Sequence, residues 1–218
     1  MKPLIVTARL AQGLVAADRW SPTLDGILAW AHMRRILPPE EFVGGAALEH
    51  GTAVEGLPLE RCEHEGEWWY AASSPETQTA ARQRRYYHRR FDEQHALTYT
   101  RSQAKVLTSA GPFKGMRHNE ILTITPAIRW RAIGDQDAVR DLLTEVLQVG
   151  RGVGRGYGRV TEWNVAEGSE DDSRRARTER PLPVAFAQAN GIDGPCLTWG
   201  VRPPPWLPGN STLCVMPS

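Results

Sequence analysis

What this chain lacks narrows its chemistry first. Of 26 lysines and arginines only Lys2, Lys105 and Lys114 are lysine, so the positive charge rests on 23 arginines. Arginines are planar, permanently ionised groups suited to forked contacts with phosphates and base edges. The net charge is only +1, which excludes indiscriminate coating of nucleic acid and confines any such binding to local patches. Cys62, Cys196 and Cys214 are odd in number, far apart and without a C-x-x-C pair, so neither a disulfide framework nor a zinc site is supported. No apolar run reaches membrane-spanning length, and the apolar part of MKPLIVTARL is too short for a secretory signal. The expectation is a soluble, cytoplasmic protein with no membrane partner. No clustered acidic motif serves two-metal chemistry, since EDDS falls in a charge-rich stretch. No Lys-Ser/Thr ending turns the glycine-rich run into a nucleotide-binding P-loop. No metal or cofactor is called for.

That glycine-rich run, GRGVGRGYG from Gly150 to Gly158, is the strongest local signal. Glycine lets the backbone adopt positive φ and approach a ligand closely. Arg151 and Arg155, interleaved with Gly152, Gly154, Gly156 and Tyr157, point to an anionic ligand. The competing structural account is a helix-to-strand connection with Gly150 as helix C-cap; one glycine would suffice for that, and five are present.

In chain order, Pro3 to Leu10 has the β-branched, interspersed pattern of a strand, with Ile5 and Ala8 placed near a core. Leu24, Ile27, Leu28, Ala31 and Ile36 follow helical spacing, capped by Ser21 or Thr23 and stopped by Pro38-Pro39. Arg34 and Arg35 in its last turn complement the helix dipole. Leu57 to Ala72 reads as two strands around a turn at Gly66, with Trp68 and Trp69 as packing residues on opposite sides. A Gly-Pro-rich loop carrying Lys114, Arg117 and His118 precedes strands over Ile121 to Thr125 and Ala127 to Ile133, interrupted by Pro126 at a bulge or edge. A helix from Asp135 presents Ala138, Leu142, Leu143, Val146, Leu147 and Val149 as its apolar face, and a strand from Gly158 to Val165 follows the glycine run.

Between these halves, residues 75–105 contain Arg82, Arg84, Arg85, Arg89 and Arg90 within nine positions, interleaved with Tyr86, Tyr87 and His88. Guanidinium groups neutralise phosphates and tyrosines offer stacking faces, a combination suited to single-stranded nucleic acid. The alternative is a solvated charge run at a hairpin tip. The element order predicts an α+β, ferredoxin-like (RRM-like, βαββαβ) core over residues 1–166 with this basic hairpin insertion. Residues 167–180 read as a mobile, charged linker. Residues 181–218 read as a β extension returning to the core, with strands at Val184 to Ala187 and Thr212 to Met216 and a rigid turn at Arg202 to Trp206.

The N-terminal strand, LDGILAWA, the basic insertion, ITPAIRW, GRGVGRGYGRV, RPPPW and LCVMP, in this order over most of the chain, resemble the small RAMP-superfamily subunit of type IV (Csf) CRISPR effector complexes. The resemblance implies a non-catalytic subunit that grasps the 5′ handle of crRNA and caps one end of the backbone filament. It implies contact with the filament subunit and a large-subunit-like protein, and leaves open a share in binding target duplex near the protospacer-adjacent motif. In that family the handle passes over the sheet and glycine loop, and the basic hairpin acts as a thumb. Carried onto this sequence, Arg151, Gly152, Gly154, Arg155, Gly156 and Tyr157 become handle contacts. Arg82, Arg84, Arg85, Tyr86, Arg89 and Arg90 become thumb contacts, and Lys114, Arg117 and His118 join the RNA-binding set. The competing expectation is a metal-independent endoribonuclease processing precursor crRNA. It needs a base for a 2′-hydroxyl and cations for the transition state, and His118 with Lys114 and Arg117, or His88, would supply them.

Overall fold

A computed structural model describes residues 1–38, 53–92 and 114–217; the part of the basic insertion from 93 to 105, Lys105 included, lies outside the described residues. The elements are β1 (Lys2–Leu10), β2 (Leu14–Val15), α1 (Leu24–Ile36), β3 (Arg61–His64), β4 (Glu67–Tyr70), β5 (Glu76–Thr77), β6 (Ala81–Arg89), β7 (Met116–Ile124), β8 (Ala127–Gly134), α2 (Gln136–Leu143), β9 (Val160–Glu167), α3 (Glu170–Thr178), β10 (Leu182–Pro183), α4 (Val184–Ala189), β11 (Cys196–Gly200) and β12 (Ser211–Val215). No described helix is long and apolar enough to cross a membrane.

β1 is the centre of the core sheet, whose order is β5-β8-β1-β9 with every neighbour antiparallel. With α1 between β1 and β5 and α2 between β8 and β9, this is the βαββαβ connectivity of a ferredoxin-like fold: the first strand lies between the third and fourth, and the second holds the edge. Leu4, Val6, Ala8 and Leu10 are all buried on one face of β1. Of Ile5 and Ala8, both expected near a core, only Ala8 lies on this face. The period of two puts Ile5 on the opposite face, where it is half-buried.

Thr23 caps α1, its side chain accepting from the Gly26 backbone. Leu24, Ile27, Leu28 and Ala31 pack in one cluster with Val139, Leu142 and Leu143 of α2 and with Trp130 of β8. Arg35 does more than complement a dipole: it pairs with Asp141 of α2 and, at 3.5 Å, with Glu145. Asp135 caps α2, but the helix ends at Leu143 instead of running on towards Val149. Val146 and Val149 are buried from irregular chain, whereas Ala138 and Leu147 face solvent.

The break at Pro126 is larger than a bulge. β7 pairs with β6 and β2 in a separate three-stranded sheet, while β8 enters the core sheet, so the chain changes sheet at Thr125-Pro126. Proline cannot donate to a ladder, and the Pro126 carbonyl instead accepts from Leu10 N–H at 2.8 Å.

The β3–β4 hairpin joins two cores. Successive side chains point oppositely, so Trp68 enters the main cluster, whereas Trp69 packs with Leu182, Val201, Cys214 and Met216. The latter cluster belongs to the C-terminal sheet, β10-β12-β11. Val184 to Ala187, expected as a strand, opens α4.

The segment expected as a mobile linker, 167–180, is the end of β9 followed by α3. Its charge segregation signals a helix, not disorder. Glu170, Asp171 and Asp172 occupy the first turn and Arg175 and Arg177 the last, matching the macrodipole, and Ser169 with Asp172 forms a capping box. Ala176 is fully buried. Asp172 pairs with Arg131 at 2.9 Å and Arg177 with Glu60 at 2.8 Å, which fixes α3 across one end of the sheet face that α1 and α2 leave open.

Candidate nucleic-acid interface

The glycine run is built from its neck outward. Val149 N–H donates to Gly158 O at 2.9 Å, Gly158 N–H to Gly13 O at 2.8 Å and Arg151 N–H to Val15 O at 2.7 Å. At Gly158, φ is +67° and a Cβ would lie 1.7 Å from the Val149 carbonyl oxygen, so no other residue fits. Gly150 is not the cap of α2, which ends seven residues earlier; a Cβ there would lie 2.7 Å from the Val15 oxygen. The neck therefore accounts for two of the five glycines. The tip is a single 3-10 turn, Val153–Arg155, flanked by Gly152 and Gly156. A Cβ on Gly154 would meet nothing within 4 Å; this glycine sits at an open tip.

β6 and β7 run antiparallel in register, pairing Arg85 with Glu120, Tyr86 with Asn119, Tyr87 with His118 and His88 with Arg117. Cross-strand partners share a face. One face therefore carries Arg85, Tyr87, Arg89, His118 and Glu120, and the other Arg82, Arg84, Tyr86, His88 and Arg117. Every residue of β6 is exposed, as are Arg90 just after it and Lys114 just before β7. Arg117 and His118, expected in a loop, lie on β7 because their segment continues the ladder. The Arg117 guanidinium sits 3.8 Å from the Tyr86 ring centre, a cation–π contact, and Tyr87 and His118 stack with centroids 6.5 Å apart.

The two predicted patches meet at one side chain. Arg155, at the loop tip, forms an ion pair with Glu120 of β7. Its guanidinium also lies 4.8 Å from the Tyr87 ring centre and 5.9 Å from that of Tyr157. The structure thus joins Arg155 and Tyr157 to the Tyr87 face of the ribbon, while Arg82, Arg84, Tyr86 and Arg117 lie on its other face. Sequence reading missed Glu120, a lone acid on a strand; its pairing with Arg85 follows only from the register.

The arginines divide into two classes. Among the described residues Arg82, Arg84, Arg85, Arg89, Arg90, Arg117 and Arg151 form no ion pair. Others are consumed internally: Arg131 binds Glu76 and Asp172, each at 2.9 Å, and Arg180 is buried on Asp25. On the open sheet face Arg9 pairs with Glu162 at 3.1 Å. Among the described residues no three His, Cys, Asp or Glu side chains gather to hold a metal.

A family model described as "CRISPR type IV associated protein Csf3" matches residues 2–217. No curated protein matches the chain. Among solved structures, a chain in the "Cryo-EM structure of the Type III-B Cmr-beta bound to cognate target RNA" is similar at 10% identity and a TM-score of 0.36, over 77% of this chain and 62% of that one. The protein thus spans less than two thirds of the length of that chain.

Proposed function

The chain belongs to the Csf3 family of CRISPR type IV associated proteins, and on that premise we propose that it is a non-catalytic RNA-binding subunit which fixes the 5′ handle of crRNA and caps the backbone filament. The single observation carrying this reading is a cationic strip that runs from the glycine loop through Arg155 onto the Tyr87 face of the ribbon, the face that also carries Arg85 and Arg89. The arginines of β6 and Arg151 have no ion-pair partner among the described residues, and Arg155 links their two segments. Guanidinium groups interleaved with Tyr86, Tyr87 and Tyr157 neutralise phosphates and stack on bases without any reacting group. The filament subunit and a large-subunit-like protein are its protein partners, and target duplex near the protospacer-adjacent motif is a further contact.

The test replaces Arg85, Arg89 and Arg151 together by alanine and measures crRNA retained in a pull-down of the assembled complex. Retention falls, and the slope of log affinity against log salt becomes shallower by about 2, at roughly 0.7 per phosphate contact on single strands. Unchanged retention overturns the assignment. Incubation with repeat RNA in EDTA separates this reading from the nuclease alternative: specific cleavage abolished by His118→Ala would make the protein an enzyme.

A further inference from the structure

We propose that Glu120 is a built-in stand-in for a backbone phosphate, holding Arg155 on the ribbon until a phosphate of the bound RNA displaces it; this rests on the RNA-binding reading above. Glu120 is the one acidic residue in β6 and β7, and it stands where the glycine loop touches the ribbon. Its cross-strand partner is Arg85, yet its carboxylate is taken by Arg155, 35 positions along the chain. The pair is largely shielded, with side chains 35% exposed for Arg155 and 19% for Glu120, and it is walled by Tyr87 and Tyr157.

A carboxylate and a phosphate offer the guanidinium fork the same two-oxygen geometry. A phosphate can therefore replace Glu120 while Arg155 keeps its aromatic contacts. Glu120 pre-positions the guanidinium and at the same time competes with the ligand, so an RNA that does not also engage the rest of the strip gains little by opening the pair. The neck bond from Arg151 N–H to Val15 O lies outside this exchange and keeps the base of the loop in place.

The experiment titrates the purified full-length protein into a 5′-labelled single-stranded uridine 20-mer and follows anisotropy. Wild type, Glu120→Gln, Arg155→Ala and the double variant are compared, with circular dichroism to check folding. Glu120→Gln binds about two- to fivefold more tightly, the size of a partly exposed ion pair. Arg155→Ala binds more weakly, and adding Glu120→Gln to it gives no gain. Glu120→Ala repeats the measurement without an amide oxygen that could still hold Arg155. Unchanged or weaker binding by both Glu120 variants overturns the proposal, as does an equal gain in the Arg155→Ala background, which would mark simple removal of a negative charge. Failure of the 20-mer to bind any of these proteins overturns the RNA reading and this proposal together, whereas binding without a Glu120 effect overturns this proposal alone.

Discussion

Arg180→Met probes the joint that holds the two cores and α3 together. The Arg180 and Asp25 side chains are 2% and 3% exposed. Both Arg180 Nη atoms reach Asp25 Oδ2 at 3.2 Å; Nη1 also donates to the carbonyls of Tyr70 at 2.6 Å and Ala72 at 3.2 Å, and Nη2 to that of Val201 at 3.0 Å. Four segments are thereby fastened: the start of α1, the end of β4, the chain just beyond α3 and the C-terminal unit. Methionine fills much of the volume but leaves Asp25 as a buried, unpaired carboxylate and three carbonyls without this donor. Removing one partner of a buried pair costs about 3–5 kcal/mol. At about 2–4 °C per kcal/mol for a chain of this size, Tm drops by about 6–20 °C. The assay is urea denaturation and thermal melting followed by circular dichroism. Because an apolar replacement of both partners is often tolerated, Arg180→Met/Asp25→Leu recovers at least half of the loss. A loss below about 1 kcal/mol for the single variant, or a double variant no more stable than the single, refutes the reasoning.

The glycine run yields a paired prediction. Gly158→Ala forces a Cβ against the Val149 carbonyl at positive φ and lowers stability by about 2 kcal/mol or more, whereas Gly154→Ala at the open tip stays within about 0.5 kcal/mol of wild type; equal losses in urea midpoints would reject the division into neck and tip. Asp172 supplies a pH dependence. Hydrogen bonds from the Ser169 backbone and hydroxyl, then Arg131, hold its carboxyl below the ordinary value of 3.8. The unfolded chain therefore takes up the proton first. The contribution of Asp172 is fully present above 3.8 and is lost as pH falls below that through the folded value. Asp172→Asn removes that part of the acid sensitivity, so parallel wild-type and variant curves of urea midpoint between pH 6 and 3 would contradict it.

Where local pattern and tertiary role coincide, the elements were legible. The Thr23 cap and apolar spacing announce α1, the alternation of Leu4, Val6 and Ala8 announces β1, and Asp135 announces the start of α2. The end of α2 was not legible, because Val146 and Val149 continue an apolar pattern that irregular chain buries equally well. α3 was misread because its charged, aromatic-free composition matches disorder; its stability comes from Arg131, Glu60 and a sheet face that belong to distant parts of the chain. In the candidate site, the arginine-tyrosine run and the glycine run stood out by composition. The pairing of Arg155 with Glu120 could not, since it depends on the register of β6 with β7 and on where the loop tip lands.

Local pattern carried the two core helices, the first, third and last core strands, the supply of arginine in place of lysine, and the two cationic segments, because periodicity and composition run along the chain. The second core strand, Glu76–Thr77, lies inside the stretch read as the basic insertion, and the strands read within 57–72, Arg61–His64 and Glu67–Tyr70, pair only with each other. Among the described residues, folding alone settled which arginines are paired internally and which are left without an ion-pair partner. An ion pair forms wherever folding brings a carboxylate within reach, and the partners of Arg131, Arg155 and Arg180 lie between 35 and 155 positions away.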